Sequence, residues 1–150
     1  MPFQQRSALK NPREILLVED SPGDIRLMQE AFKEGELQGH LSIARDGVQA
    51  MAFLRREGNY AQSPRPAIIL LDLNLPRKDG REVLAEIKAE STLRKIPVVI
   101  LSTSTSPEDI GQAYDLHANC YLQKPADLTT LVALSKLIEG FWLQTAVLAA

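Results

Sequence analysis

Cysteine is almost missing. Cys120 is the only one in 150 residues, so no internal disulfide can staple the chain and its core must hold by packing. That lone thiol reads as a small buried apolar group. An excess of one charge is also absent: 17 Lys and Arg stand against 19 Asp and Glu, a net of −2. This balance excludes a protein whose main task is holding nucleic-acid phosphates. No apolar run approaches the ~20 residues of a membrane span. The opening stretch MPFQQRSALKNPR has no apolar centre of the kind a secretion signal needs. The expected setting is therefore the cytoplasm, with neither membrane nor nucleic acid as partner. His40 and His117 have no partner at metal-ligand spacing.

What is present is ordinary in composition, 45% apolar and 24% charged, at a length that suits one domain. Residues 1–12, with Pro2, Gln4, Gln5 and Pro12, read as a loose arm, and 13–150 as a single domain. EILLVE, residues 14–19, contains a short apolar run, and Ser21-Pro22-Gly23-Asp24 follows at once. Ser21 suits an N-cap, Pro22 the first helical position, and Asp24 completes a capping box. Ile25, Met28 and Phe32 then keep helical spacing up to a stop near Gly35. HLSIAR, 40–45, alternates as a strand does, and Asp46 caps a helix carrying Val48, Met51 and Leu54 and ending near Gly58. Beyond the loop 58–66, AIILLDL (67–73) is a nearly continuous apolar run, and Asp79-Gly80 opens a helix with Val83, Leu84 and Ile87. PVVIL (97–101) precedes a second capping box, Ser106 to Asp109, and a helical face of Ile110, Ala113, Tyr114 and His117. CYL (120–122) is a short last strand, and from Asp127 an extended helix runs toward Thr145.

This βα alternation predicts an α/β fold, a five-stranded doubly wound parallel sheet of order 2-1-3-4-5. In such sheets ligands sit at the carboxyl ends of the central strands. Those ends carry Glu19-Asp20, then Asp72 with Asn74 two residues on, then Ser102-Thr103, then Lys124-Pro125. Three acids on one rim repel one another unless a cation enters. Glu19 (through water), Asp20, Asp72 and a backbone carbonyl are hard oxygen donors, the set that suits Mg²⁺. With Lys124 opposite, the rim is built to host a dianionic phosphoryl group, and Asp72 becomes a candidate nucleophile. Any one of these residues alone would pass for a cap or a solvated side chain.

At these positions the chain resembles the receiver domains of response regulators, which have the flavodoxin-like form of this fold. Glu19-Asp20 matches the acidic pair and Asp72, in LLDLNLPRKDG, the phospho-acceptor. Ser102 matches the switch hydroxyl, Tyr121 the switch aromatic, and Lys124, in YLQKP, the lysine. The intervals of 30 and 22 residues between Asp72, Ser102 and Lys124 are those of receivers. LLVEDSPGDIRL, LHANCYLQKP and FWL are similar to cyanobacterial phytochrome response regulators. The resemblance implies a histidine kinase, of the phytochrome type, as donor to Asp72. It further implies Mg²⁺ on Glu19, Asp20, Asp72 and the Asn74 carbonyl, and a switch through Ser102 and Tyr121; Thr103, where receivers often have a small residue, is a second contact beside Ser102. A face of the fourth helix, fifth strand and fifth helix would read the switch, and the Lys124–Pro125 bond would be cis. Arg77-Lys78 is either a solvated loop or part of the kinase dock.

Two rivals stand beside this reading. A Mg-dependent phosphatase of the haloacid dehalogenase type needs Asp-x-Asp; here the second residue is Asn74, whose amide cannot shuttle protons. A scaffold that never takes phosphate would be indifferent to Asp72→Ala. The last helix carries more apolar residues than one core stripe needs. Leu128, Leu131, Leu134, Ile138, Phe141 and Trp142 are therefore candidates for a symmetric homodimer interface.

Overall fold

Five short strands run parallel: β1 (Glu14–Val18), β2 (His40–Ala44), β3 (Ile68–Leu71), β4 (Val98–Ser102) and β5 (Cys120–Gln123), in the order β2-β1-β3-β4-β5. The computed structural model describes residues 13–149, so the expected arm over 1–12 lies outside the described residues. β1, β3 and β4 are apolar on both sides because both faces are covered. Successive side chains alternate between two cores. Leu16, Val18, Ile69, Leu71, Val98 and Ile100 face one way, and Ile15, Leu17, Ile68, Leu70, Val99 and Leu101 the other. The first core is closed by α2 (Gly47–Arg55), α3 (Gly80–Ala89) and, through Ala113, α4 (Pro107–Asp115). The second is closed by α1 (Pro22–Glu34) and α5 (Leu128–Ile138). β2 is an edge, exposed at His40 and buried only at Ala44.

Every one of these helices begins at a Ser or Asp whose side chain accepts a backbone amide of the first turn. The two capping boxes expected at Asp24 and Asp109 do not form. The Asp24 and Asp109 amides do donate to Ser21 and Ser106, but their carboxylates turn to cations and a hydroxyl elsewhere. Charge-assisted bonds of that kind outweigh a neutral amide partner. Glu19 Oε2 and Ser104 Oγ accept the vacated Ser21 and Ser106 amides at 3.1 and 3.2 Å. A reciprocal box exists instead at α3, between Asp79 and Glu82.

Other expectations shift locally. α2 ends at Arg55, with Arg56 rather than Gly58 supplying the left-handed cap. On α4 only Ala113 is buried, while Tyr114 is exposed and His117 lies beyond the helix end. The Lys124–Pro125 bond is trans, as are all peptide bonds among the described residues. Trans is the isomer favoured by ~0.5–1 kcal/mol for any X–Pro pair, and the cis form expected from the resemblance is not adopted. After Ile138 the helix widens into a π-helical segment, Glu139–Thr145. Buried Glu139 pins it to the α1–β2 turn by accepting the Gln38 and Gly39 amides, both at 2.8 Å. No helix among the described residues is long and apolar enough to cross a membrane.

Gly80 keeps the start of α3 against the end of β3. A Cβ there would lie 2.3 Å from the Asp72 carbonyl oxygen, a backbone atom that cannot yield. Gly111, inside α4, faces open space. Gly80→Ala is therefore expected to cost about 2–3 kcal/mol through forced displacement. Gly111→Ala should gain about 0.5–1 kcal/mol from helix propensity. Urea melts of the two variants check the opposite signs.

Candidate functional site

Strand ends deliver the polar residues that the topology leads one to look for. Glu19 leaves β1, Asp72 leaves β3, Ser102 closes β4, and Lys124 follows β5. The Lys124 ammonium spends its three protons on three carboxylates: Glu19 Oε1 at 2.7 Å, Asp24 Oδ2 at 3.1 Å and Asp72 Oδ2 at 3.2 Å. The side chains of Lys124, Glu19 and Asp72 are 12%, 4% and 11% exposed, whereas Asp24 is 43% exposed. Leu17, Leu101 and Leu131 line the same recess, which lowers the local dielectric and strengthens these contacts.

The site is charge-frustrated. Burial raises Glu19 above the ordinary carboxylate range; the Lys124 bond opposes that rise and the nearby Asp72 charge adds to it. Burial works against the Lys124 charge, yet Glu19, Asp72 and Asp24 together push its pKa up, so the ammonium stays protonated. One carboxylate oxygen each from Glu19, Asp20 and Asp72 lies within 4.8 Å of the others, with Asp20 on the exposed side. Three hard oxygens so spaced fit a divalent cation, which would relieve the crowding that a single lysine leaves.

Asn74 helps hold the Asp72 carboxylate in place, its backbone N–H donating to Asp72 Oδ1 at 3.2 Å. Ser102 is fully buried, and its Oγ accepts the Ser104 amide at 3.2 Å. Thr103 is exposed, so the fold turns Ser102 inward and not its neighbour. Tyr121 is half-buried, and its hydroxyl donates to the Ser104 carbonyl at 2.9 Å. Ser104 thus joins the end of β4 to the ring on β5. Its Oγ also donates to Asp109, at 2.6 Å, which binds Arg81 of α3 at 3.0 Å. The hydrogen bonds from Ser104 and then Arg81 hold Asp109 below the usual carboxylate range. Arg77 reaches Asp46, and Lys78 pairs with Glu86.

Asp24 and Ser104 are missing from the set read off the sequence. A signal for Asp24 existed: a first-turn side chain leans back toward the helix N-terminus, here toward the β1 end. The interface candidates need correction. Leu131 and Ile138 are 3% and 6% exposed and belong to the core under α5, so neither can form a docking surface. Leu128, Leu134 and Trp142 are half-buried. Leu137, absent from the candidates, is 70% exposed and Phe141 54%. Phe141 stacks edge-on against Trp142 with ring centres 5.0 Å apart.

The family model for the response regulator receiver domain matches residues 15–136. The response regulator Rcp1 of Synechocystis is 55% identical over 139 residues, spanning 93% of this chain and 95% of that one. The probable methanogenesis regulatory protein FilR2 of Methanothrix harundinacea is 43% identical over 135 residues, 89% of this chain and 86% of its own. Among solved structures, the phosphorylated cyanobacterial phytochrome response regulator RcpA superposes with a TM-score of 0.86 at 56% identity, over 92% of this chain and 99% of that one. The Mn(2+)-bound form of Rcp1 gives 0.83 at 55% identity, over 93% and 100%.

Because the buried acids outnumber the one lysine, Asp72→Asn should stabilise the cation-free protein at neutral pH by about 1–2 kcal/mol. A carboxyl whose folded pKa is raised, as for Glu19, binds its proton more readily folded than unfolded, so it costs stability at higher pH. The advantage of Asp72→Asn therefore shrinks as pH falls and Glu19 takes up a proton. It shrinks also when magnesium is added. Urea melts with chelator and with magnesium, across pH, check both trends.

Proposed function

The chain belongs to the response regulator receiver family, and from that membership we propose that it is a phospho-acceptor switch in which Asp72 takes the phosphoryl group. The observation that carries this is the Lys124 ammonium 3.2 Å from Asp72 Oδ2, in a recess whose acids meet within 4.8 Å. An Asp72 oxygen attacks the phosphorus of a phosphohistidine. The P–N bond breaks, the imidazole leaves with the electron pair and takes a proton from water, and an acyl phosphate remains. Glu19 through water, Asp20, Asp72 and the Asn74 carbonyl would hold Mg²⁺, which supplies positive charge to the phosphoryl oxygens. Lys124 supplies the opposing cation and fixes the line of approach.

Ser102 would then give up the Ser104 amide and donate its hydroxyl to a phosphoryl oxygen. Ser104 moves with it, and Tyr121 follows through its bond to the Ser104 carbonyl. A local gain of about −1.5 to −2 charge thereby reaches the face of α4, β5 and α5. The phosphatase reading is disfavoured at Asn74, which cannot act as a general acid, so turnover is limited to slow hydrolysis by water. The donor we infer is a sensor histidine kinase of the phytochrome type, by likeness to Rcp1 and RcpA. The setting we infer is the cytoplasm, and residues 13–150 act as one receiver unit without nucleic acid or membrane as partner. A second copy is the further partner. It would dock on the outer ridge of α5 and the π-helical segment, through Leu137 and Phe141 with Leu128, Leu134 and Trp142 beside them.

Incubation with magnesium and acetyl phosphate should add one phosphoryl group, mapped to Asp72 by mass spectrometry, and Asp72→Asn should abolish it. An adduct that persists in Asp72→Asn defeats the acceptor assignment. Sedimentation at micromolar concentration should show a dimer that Phe141→Glu with Leu137→Glu reduces to monomer. An unsubstituted chain that is monomeric with and without phosphate removes the dimer.

A further inference from the structure

Lys124 is saturated before any phosphate arrives. Its three N–H donors are taken by Glu19, Asp24 and Asp72, and an ammonium has no fourth. A phosphoryl oxygen can reach it only if one carboxylate lets go. The three differ in how easily they do so. Glu19 and Asp72 are buried, and in the cation-free recess releasing either would leave a desolvated anion with only a backbone amide, from Ser21 or Asn74, as partner. Asp24 is half in solvent, so water can take over its oxygen at little cost. Its backbone is fixed by the Ser21 cap, so the carboxylate stays poised at the mouth of the recess after release.

The geometry points to Asp24 as a placeholder on Lys124, a positioning residue that holds the ammonium in the resting state and is displaced by the incoming phosphoryl group. This rests on Asp72 being the acceptor. Asp24 acts in two ways. It competes for the third proton of Lys124, and its charge repels an anionic donor at the entrance. Both raise the donor concentration needed, and neither touches the bond-making step at Asp72. Asp24 is thus a brake on acquisition of phosphate from small donors, built into the first turn of α1.

The test is the rate of phosphorylation by acetyl phosphate against its concentration, in the full chain at saturating magnesium. Asp24→Asn keeps an acceptor oxygen for Lys124 but removes the charge. It should lower the half-saturating concentration by about three- to tenfold, with the limiting rate changed by less than about twofold and the adduct still on Asp72. Asp24→Ala should do the same, and Asp24→Glu should restore the unsubstituted value. Beryllofluoride affinity, read by calorimetry, should rise in Asp24→Asn by a similar factor without any covalent step. An unchanged half-saturating concentration in Asp24→Asn, with Asp72 still modified, overturns the role of Asp24 and leaves the acceptor standing. An effect confined to Asp24→Ala also overturns it, since packing and not charge would then be the cause. Absence of any Asp72 adduct in the unsubstituted chain overturns the acceptor itself.

Discussion

The molecule is organised around a shortage of positive charge. Glu19 and Asp72 are buried at the ends of β1 and β3, with Asp20 and Asp24 at the rim, and Lys124 is the cation that reaches into the recess. Desolvated anions at this density cost several kcal/mol unless paired. The resting fold accepts a part of that cost in the raised pKa of Glu19. An incoming divalent cation would relieve it. The site is therefore conditional by electrostatics, before any conformational change is considered.

Around that recess the scaffold is rigid where the acids sit and looser at α4. β1, β3 and β4 are buried on both faces, so Glu19 and Asp72 project from strands that cannot shift without disturbing two cores. α4 buries only Ala113 among its residues, and its start is held by polar bonds through Ser104, Asp109 and Arg81. Sections held by few apolar contacts are the ones that open at low cost. The division suits the proposed chemistry: fixed acids at the strand ends and a more loosely held α4, joined at Ser104.

Much of this was legible in the residue order. Apolar runs bounded by Asp, Ser and Pro marked the strands and caps, and strand order followed from alternation. Asp20, Asp72 and Lys124 were visible because they end strands. Asp24 is hidden, because a local rule gives its carboxylate a sufficient partner three residues away while the partner it takes is 100 residues on. Leu131 and Ile138 look like surface candidates because apolarity states a need for cover without naming what supplies it; the sheet does. The cis Lys124–Pro125 bond rests on the resemblance alone, and the small local preference, which favours trans, prevails.

The wide turn after Ile138 carries a consequence for register. A π-helical stretch holds i to i+5 bonds, as the Ala146 amide does with the Phe141 carbonyl at 2.6 Å, and so absorbs one residue more per turn than an α-helix. Counting in heptads along α5 fails at Glu139, and the azimuth of everything beyond it is rotated. Phe141 consequently faces water while Leu143, two positions on, drops into the core. Loss of one residue between 139 and 145 would restore an ordinary helix and swing the tail's outer ridge around the axis, with the recess at the strand ends left untouched.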